Sequence, residues 1–339
     1  MTNRRAIIVF SLAAVALVAL FAGCLLIGSV DIPPSQVFDA LMGKPCGRPS
    51  WNYIIIETRL PAACTAVLCG SALSVAGLLM QTTFDNPLAG PSILGISTGS
   101  SLGVAITILA LGSVVGTFGQ IAMLSGAILG ALAVMLLLLA MSALVRSSTM
   151  LLIVGILIGY LASSAISLLN FFASTESVHA FVIWGLGSFN GVTIDILPTF
   201  ACTTLILLIG SMLYAKPLNA MLLGSRYAVS AGVNLRSVRR AMLLLSGGLT
   251  AVATAWCGPI GFIGLVVPHL ARLALRSSNH RILLPATVLI GAVVGALCLL
   301  LSIAPTGQGV IPINAITPLI GVPVIIYIIL RRRSIFYFN

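Results

Sequence analysis

The sequence predicts an all-α polytopic membrane protein, and composition and the lengths of its apolar runs are the two features that predict it. Of the 339 residues, 59% are hydrophobic and only 7% are charged, whereas soluble globular domains carry about 25% charged residues. The apolar residues occur in runs of about 20, the length that a helix needs to cross a bilayer. There is room for about ten such runs, and we expect a single transmembrane domain over residues 1–339.

The first predicted span follows Arg4 and Arg5. Its apolar run is too long for a signal peptide and lacks a small-residue cleavage site, so a first span is the better interpretation. The ten predicted spans cover residues 7–30, 60–83, 92–111, 116–144, 149–172, 193–214, 237–256, 259–275, 282–303 and 314–331.

Charge supports ten spans with both termini in the cytoplasm. On that topology the cytoplasmic segments hold 14 basic residues and one acidic residue, Asp85. The outer segments hold only three basic residues, which are Lys44, Arg48 and Arg59, and five acidic residues. This is the asymmetry of the positive-inside rule, and an odd number of spans would scramble it.

A basic polar break separates the sixth and seventh spans. Residues 216–240 carry five of the 17 basic residues and no acid. Within it, residues 218–234 resemble two short helices with a hinge at Gly224 and an end at Gly232. Leu223, Tyr227 and Ala231 are spaced to line one face. That pattern favours a helix that docks into a groove of a soluble partner, and an ordinary basic cytoplasmic loop is the alternative.

Two further pieces interrupt the spans on the outer side. Residues 31–59 form a proline-rich loop with Trp51 and Tyr53, whose amphipathic rings favour the membrane interface. Residues 176–188 predict a short outer helix, capped by Ser174 or Thr175.

Small residues recur at every fourth position in several spans. The pairs Gly126/Gly130 and Gly291/Gly295 favour close helix packing. In the fifth span the predicted stripe includes two hydroxyl groups and an amide, and it consists of Gly155, Gly159, Ser163, Ser167 and Asn170. This weakly polar face suits either a translocation pathway or packing.

Glycine and proline also cluster in sequence motifs. They are RLP at 59–61, NPLAGPSILGISTGSSLG at 86–103, WGLGS at 184–188, LG…A…AGV at 223–233 and GPIGFIGLVVPHLAR at 258–272. In lipid, such breaks require neighbouring protein to pair the freed backbone groups, and they are common in transporters. Together these motifs resemble the FecCD family of ABC transporters, the importer permeases for iron chelates and vitamin B12.

The resemblance implies a type II importer permease of ten spans that forms a homodimer with a second copy of itself around a central passage. It also implies a cytoplasmic ABC ATPase dimer, which holds ATP and Mg, and a periplasmic or tethered substrate-binding protein.

Residue roles follow from matching positions. The ATPase-coupling helices correspond to Leu223, Gly224, Arg226, Ala228, Ala231 and Gly232. The cytoplasmic gate corresponds to Asn86 and Leu88 in one loop, and to Ser147, Ser148 and Thr149 before the fifth span. Arg59 matches an arginine that docks the binding protein.

The outer end departs from the family pattern. Ala62 replaces the second arginine of Arg-Leu-Pro-Arg, and Val310 replaces the glutamate of the family's Glu-Leu-Pro, which is Val310-Ile311-Pro312 here. Charge-paired docking would then use other residues, such as Lys44 and Arg48.

Several single residues have open interpretations. Gln81 ends the second span and either packs helices or contacts cargo. His269 is best explained as a hydrogen-bonded structural histidine, and Arg272 as a cytoplasmic anchor. His179 and Glu176 are too few ligands for a metal. The seven cysteines form no CxxC pair, so no metal site is predicted.

The sequence therefore predicts an inner-membrane permease that imports a ferric siderophore, haem or cobalamin by alternating access. It binds no nucleic acid and no cofactor, and it is not an enzyme. A phosphate-binding loop needs Gly-Lys-Ser/Thr, yet Lys44 and Lys216, the only lysines, each precede proline. A secondary transporter driven by an ion gradient is the alternative, although the buried ionisable pair that we expect of one is missing.

Overall fold

A computed structural model describes residues 2–110, 117–145, 147–303 and 310–330. Within these ranges the chain is helical and contains no strand, which confirms the all-α class. The helices are α1 (Thr2–Leu26), α2 (Pro34–Leu41), α3 (Pro49–Tyr53), α4 (Leu60–Thr83), α5 (Ile96–Ala105), α6 (Thr117–Leu144), α7 (Ser148–Phe172), α8 (Thr175–Gly185), α9 (Leu197–Met212), α10 (Ala215–Met221), α11 (Ser225–Ser230), α12 (Leu235–Cys257), α13 (Ile263–Leu275), α14 (His280–Ser302) and α15 (Ile313–Leu330). Two π-helical segments, Ile54–Arg59 and Ile106–Ala110, lie before α4 and after α5.

The ten predicted spans correspond to ten of these helices. Among the described residues, α1, α4, α6, α7, α12 and α14 are long and apolar enough to cross a bilayer. Helices α9 and α10 together meet the same test as a pair bent by 50°. The other three, α5 with its π-helical extension, α13 and α15, are shorter apolar helices. The fold is consistent with about ten transmembrane helices, as predicted.

Left-handed backbone shortens two of the predicted spans. The third was expected from residue 92, but α5 begins at Ile96, after Gly95 adopts a φ of +76°. The eighth was expected from residue 259, but α13 begins at Ile263, after Gly258 (φ +77°) and Phe262 (φ +65°). Positive φ is incompatible with a right-handed helix, so each glycine-rich motif contains a break before its helix begins.

The predicted short outer helix is α8, which follows α7 in the chain. It begins after Ser174, whose hydroxyl accepts a hydrogen bond from the backbone N–H of Ser177 at 3.3 Å. This is an N-cap of the kind predicted. The helix ends at Gly185 rather than 188, because Gly187 adopts a φ of +74°.

Helix α4 lies at the centre of the bundle, where it is almost wholly buried and packs on α12, α13 and α14. Glycines allow these contacts. A Cβ added to Gly70 would lie 2.2 Å from the carbonyl oxygen of Gly291, and one added to Gly77 would lie 1.7 Å from that of Gly264. Helices in lipid associate through such close backbone contacts.

The same device joins α5 to α6. A Cβ on Gly103 would lie 1.9 Å from the oxygen of Gly126, and one on Gly130 would lie 2.1 Å from that of Gly99. The glycine pairs Gly126/Gly130 of α6 and Gly291/Gly295 of α14 therefore serve helix packing, as predicted.

Candidate functional site

Residues 215–232, termed the two-helix segment, contain α10, α11 and the glycines that separate and end them. Gly224 lies between the helices with φ +98° and ψ 152°, a conformation that glycine adopts readily. Helix α11 ends in a Schellman motif, in which the N–H of Val233 donates to the oxygen of Ala228 at 2.9 Å and Gly232 has a φ of +81°. The predicted hinge and end therefore both have the backbone geometry that requires glycine.

The surface of the two-helix segment combines apolar and basic side chains. Leu223 and Tyr227 are 64% and 55% exposed, and Arg226 and Ala231 are also exposed. Ala228, which we expected on the coupling surface, is fully buried. Its methyl group packs inward and cannot contact a partner, because one side of a six-residue helix must face the bundle.

The predicted gate loop, residues 85–89, follows α4. The Oδ1 of Asn86 accepts a hydrogen bond from the N–H of Leu88 at 2.9 Å, and the Leu88 side chain is half exposed. The carbonyl oxygen of Pro87 lies 2.8 Å from Nε2 of His269, which must be the donor because a carbonyl only accepts. The structural, hydrogen-bonded role predicted for this histidine is confirmed.

The other predicted gate residues lie at the start of α7. Ser147 is the N-cap, and its hydroxyl accepts from the N–H of Met150 at 3.4 Å. Thr149 is exposed, and the Ser148 side chain lies outside the described residues. A gate formed by these residues and the 85–89 loop remains a prediction.

Gln81 and Arg272 form a buried pair. The Nη1 of Arg272 donates to Oε1 of Gln81 at 2.6 Å, and Nε2 of Gln81 donates to the oxygen of Leu265 at 3.2 Å. Both side chains are buried. Gln81 thus packs α4 on α13. Arg272, which we expected to be a cytoplasmic anchor, instead turns its guanidinium inward to this amide.

A second polar cluster, not anticipated from the sequence, lies beside this pair. His280 is buried at the start of α14, and its Nε2 lies 2.9 Å from the hydroxyl of Thr82 on α4. Its Nδ1 and backbone N–H lie 3.0 and 2.7 Å from Oδ1 of Asn219 on α10. The only sequence signal was Asn279, a helix N-cap residue directly before a histidine.

The small-residue stripe of α7 does not lie on one face. Gly155 packs against Leu94 where α5 begins, whereas Ser163 and Ser167 are exposed. An advance of four residues turns a helix by about 40° beyond a full turn, so the stripe moves from the packed face to the exposed face.

Two of the stripe residues lie between these extremes. Gly159 is half-buried near Gly95. The Oδ1 of Asn170 is buried and has no hydrogen-bond partner among the described residues. Within the stripe, only Ser163 and Ser167 are exposed, and a role in lining a passage remains a prediction.

At the end of the bundle opposite the two-helix segment, Arg59 is only 8% exposed. Its guanidinium donates to the oxygens of Leu25 at 2.8 Å, Leu26 at 3.0 Å and Val30. These carbonyls lie at and just beyond the C-terminal end of α1. The predicted docking role requires an exposed guanidinium, which Arg59 does not offer.

Lys44 and Arg48 are exposed at that same end. The Arg48 guanidinium lies 5.2 Å from the centre of the Trp51 ring, a cation–π distance. Lys44 lines an open groove of about 450 Å³ with Pro45, Cys46 and their neighbours. These two cations remain available to a partner.

No group of three or more potential metal ligands exists among the described residues. The seven cysteines are all free thiols.

Comparison with known proteins agrees with this architecture. The chain matches the FecCD transport family over residues 15–331. It is 34% identical over 306 residues to the hemin transport system permease protein of Yersinia pestis, with 88% of this chain and 90% of that protein covered. It is 32% identical over 286 residues to the vitamin B12 import system permease protein of Escherichia coli O9:H4 (strain HS), with 84% and 86% covered.

A solved structure described as an inward-facing conformation of a metal-chelate type ABC transporter superimposes with a TM-score of 0.83 at 29% identity. The match covers 96% of this chain and 99% of that one. The apolar helices together with these relatives establish an integral membrane protein. Because the matched region spans nearly the whole chain and includes every motif described above, this protein belongs to the FecCD transport family.

Proposed function

We propose that this chain is the membrane permease subunit of an ATP-driven importer for a bulky metal chelate. The observation that carries the proposal is the two-helix segment, which exposes Leu223 and Tyr227 beside Arg226. A short helix with exposed apolar anchors is suited to a groove on a soluble partner. Relatives named as permease proteins for hemin transport and vitamin B12 import support the same function.

The partner is a cytoplasmic ABC ATPase dimer. This chain has no phosphate-binding lysine, so ATP and Mg bind to the partner, which hydrolyses the nucleotide. From the positive-inside rule we infer that the end with the two-helix segment, together with both termini, lies on the cytoplasmic side of the inner membrane. Closure of the ATPase moves the two-helix segment. The cytoplasmic gate at the 85–89 loop and a second gate at the outer end of the passage then open in alternation.

A second copy of the chain completes the passage. The exposed hydroxyls of Ser163 and Ser167 on α7 lie beside large exposed apolar residues such as Leu161. A strip of this kind can contact a second subunit through its apolar residues and line the passage with its hydroxyls. On the outer side, Lys44 and Arg48 attract acidic residues of a substrate-binding protein.

Binding of the ATPase tests the central claim. The chain and the ATPase encoded next to it are co-expressed, and affinity is measured for wild type, Tyr227→Asp and Met42→Asp. Both residues are exposed and apolar, but Met42 lies at the opposite end, after α2. We expect Tyr227→Asp to weaken binding at least about tenfold, as loss of an interface anchor does, and Met42→Asp to have no effect. Equal affinity for all three would contradict the proposal.

Uptake into proteoliposomes identifies the cargo. Haem, a ferric siderophore and cobalamin are compared with and without ATP, using the chain, the ATPase and the binding protein. We expect uptake of one of these chelates to require hydrolysis. Uptake that persists without ATP and collapses with an uncoupler would instead show a secondary transporter.

A further inference from the structure

Two consecutive residues at the end of α4 reach two different helices. Gln81 accepts from Arg272 on α13 at 2.6 Å, and Thr82 lies 2.9 Å from His280 on α14. Adjacent helical residues point about 100° apart, so this last turn is held from two sides. Directly after it comes the 85–89 loop.

The hydrogen-bond directions between His280 and Asn219 can be assigned. The backbone N–H of His280 can only donate, so the atom of Asn219 that it meets at 2.7 Å is the amide oxygen. That oxygen also faces Nδ1 of His280 at 3.0 Å, and therefore Nδ1 carries a proton. The amide nitrogen of Asn219 donates to Oδ1 of Asn279 at 2.8 Å, which is consistent with this assignment.

A continuous polar chain thus runs from Asn219 on α10 through His280 on α14 to Thr82 on α4. His280 and Thr82 are almost completely buried. Breaking a contact of this kind leaves a buried polar group without a partner, which is costly. The three helix ends are therefore expected to move together rather than slide past one another.

The 85–89 loop is held at its beginning and its middle by the same assembly. Its beginning is tied to α4 by the N–H of Asn86, which donates to the oxygen of Gln81 at 3.1 Å. Its middle is tied to α13 by Nε2 of His269, which donates to the oxygen of Pro87 at 2.8 Å. A displacement of the end of α4 relative to α13 must therefore strain or release this loop.

We propose that Asn219, His280 and Thr82 form a relay that transmits movement of the two-helix segment to the 85–89 loop. The inference rests on the proposed function, since it assumes an ATPase on the two-helix segment. The three are positioning residues, because they act through the loop and do not contact cargo or nucleotide. Asn219 lies in the same two-helix segment that presents Leu223 and Tyr227 to the partner.

The chain offers a matched pair of substitutions for a test. Thr82→Val removes the relay hydroxyl and keeps the side-chain shape. Thr83→Val makes the same change one residue later, where the buried hydroxyl has no hydrogen-bond partner among the described residues. Thr82→Ser restores a hydroxyl, and Asn219→Ala breaks the relay at its other end on a half-buried residue.

Each variant is purified in complex with its ATPase and reconstituted. We measure chelate transported per ATP hydrolysed, and hydrogen exchange of the 84–90 peptide with and without a non-hydrolysable ATP analogue. Thr82→Val and Asn219→Ala are expected to lower transport per ATP about fivefold, within the range seen for residues that modulate coupling between sites. They are also expected to abolish the nucleotide-dependent change in exchange. Thr83→Val and Thr82→Ser should resemble wild type.

The relay is overturned if Thr82→Val keeps the wild-type response of the 84–90 peptide, or if Thr83→Val loses it equally. An effect of Thr82→Val that Thr82→Ser does not rescue would also overturn it, because packing alone would then explain the loss. Failure of the proposed function has a different signature: the wild-type chain would bind no ATPase, and its 84–90 peptide would not respond to nucleotide.

Discussion

Replacing Arg59 by glutamine distinguishes a structural arginine from a docking arginine. The guanidinium donates to the carbonyl oxygens of Leu25 at 2.8 Å, Leu26 at 3.0 Å and Val30, at and just beyond the C-terminal end of α1. Gly28 leaves the necessary space, since a Cβ there would lie 2.7 Å from Nη2 of Arg59. The terminal carbonyls of a helix lack intrahelical partners, and here the arginine supplies them.

The expected loss follows from these contacts. A hydrogen bond to a charged group contributes about 1.5–3 kcal/mol, and a cation at a helix C-terminus adds roughly 0.3–1 kcal/mol. Glutamine is shorter and uncharged, so it can replace one of the three contacts at most. We expect Arg59→Gln to lower the free energy of unfolding by about 3 kcal/mol. This value is smaller than the sum of the lost contributions, because water can reach part of this site.

The assay is thermal unfolding of the purified chain in detergent, followed by its binding to the substrate-binding protein. Arg59→Gln should lower Tm by at least about 5 °C. Arg48→Gln is the control, because Arg48 is exposed at the same end of the bundle and loses only its cation–π contact with Trp51, so Tm should fall by less than about 3 °C. If Arg59→Gln kept the wild-type Tm and only weakened the affinity for the binding protein, the capping interpretation would be refuted.

Two further predictions concern packing. Gly77→Ala places a Cβ 1.7 Å from the oxygen of Gly264. We expect it to destabilise the chain by about 3 kcal/mol, seen as a lower Tm. Gly185→Ala is the control, because its added Cβ meets nothing within 4 Å. Asn314→Asp removes the amide that donates to the oxygens of Gly185 at 3.0 Å and Pro259 at 2.8 Å; a loss of about 2 kcal/mol is expected, and an unchanged Tm would show that these contacts do not stabilise the fold.

The spans could be predicted from the sequence because the signals for them are local. The length of each apolar run, and the side of the membrane on which its flanking basic residues should lie, can be read from one segment at a time. The hinge at Gly224 and the cap at Ser174 were readable for the same reason, since both depend on backbone geometry within a few residues. The start of α5 could not be predicted in this way, because it depends on the left-handed conformation of Gly95, where this residue packs against Gly155 of another helix.

The roles of the charged residues were the least predictable. Arg59 and Arg272 occupy span ends, where an exposed anchor is the usual expectation. Both are buried because acceptors from elsewhere in the chain reach them: the carbonyls of α1 for Arg59 and the amide of Gln81 for Arg272. Partners 34 and 191 positions away cannot be inferred from the surrounding sequence.

The distribution of glycine contacts indicates where the bundle can change shape. Gly70 and Gly77 bring α4 into backbone contact with α14 and α13, so these three helices form one tightly packed group. Contacts at Gly103 join α5 to α6, and those at Gly95 join the start of α5 to α7, which makes a second group. Packed backbones of this kind cannot slide past each other without clashes.

We expect relative movement at the boundary between the two groups, where α12 packs on both. The chain crosses that boundary between Thr83 and Ile96, the segment that contains the 85–89 loop. Most of its backbone lies outside regular helix, and its φ values are positive at Asp85 and Gly95. A segment with few helical hydrogen bonds can change conformation at lower cost than the helices that it joins. We therefore expect this connection between the two groups, rather than any single span, to open and close.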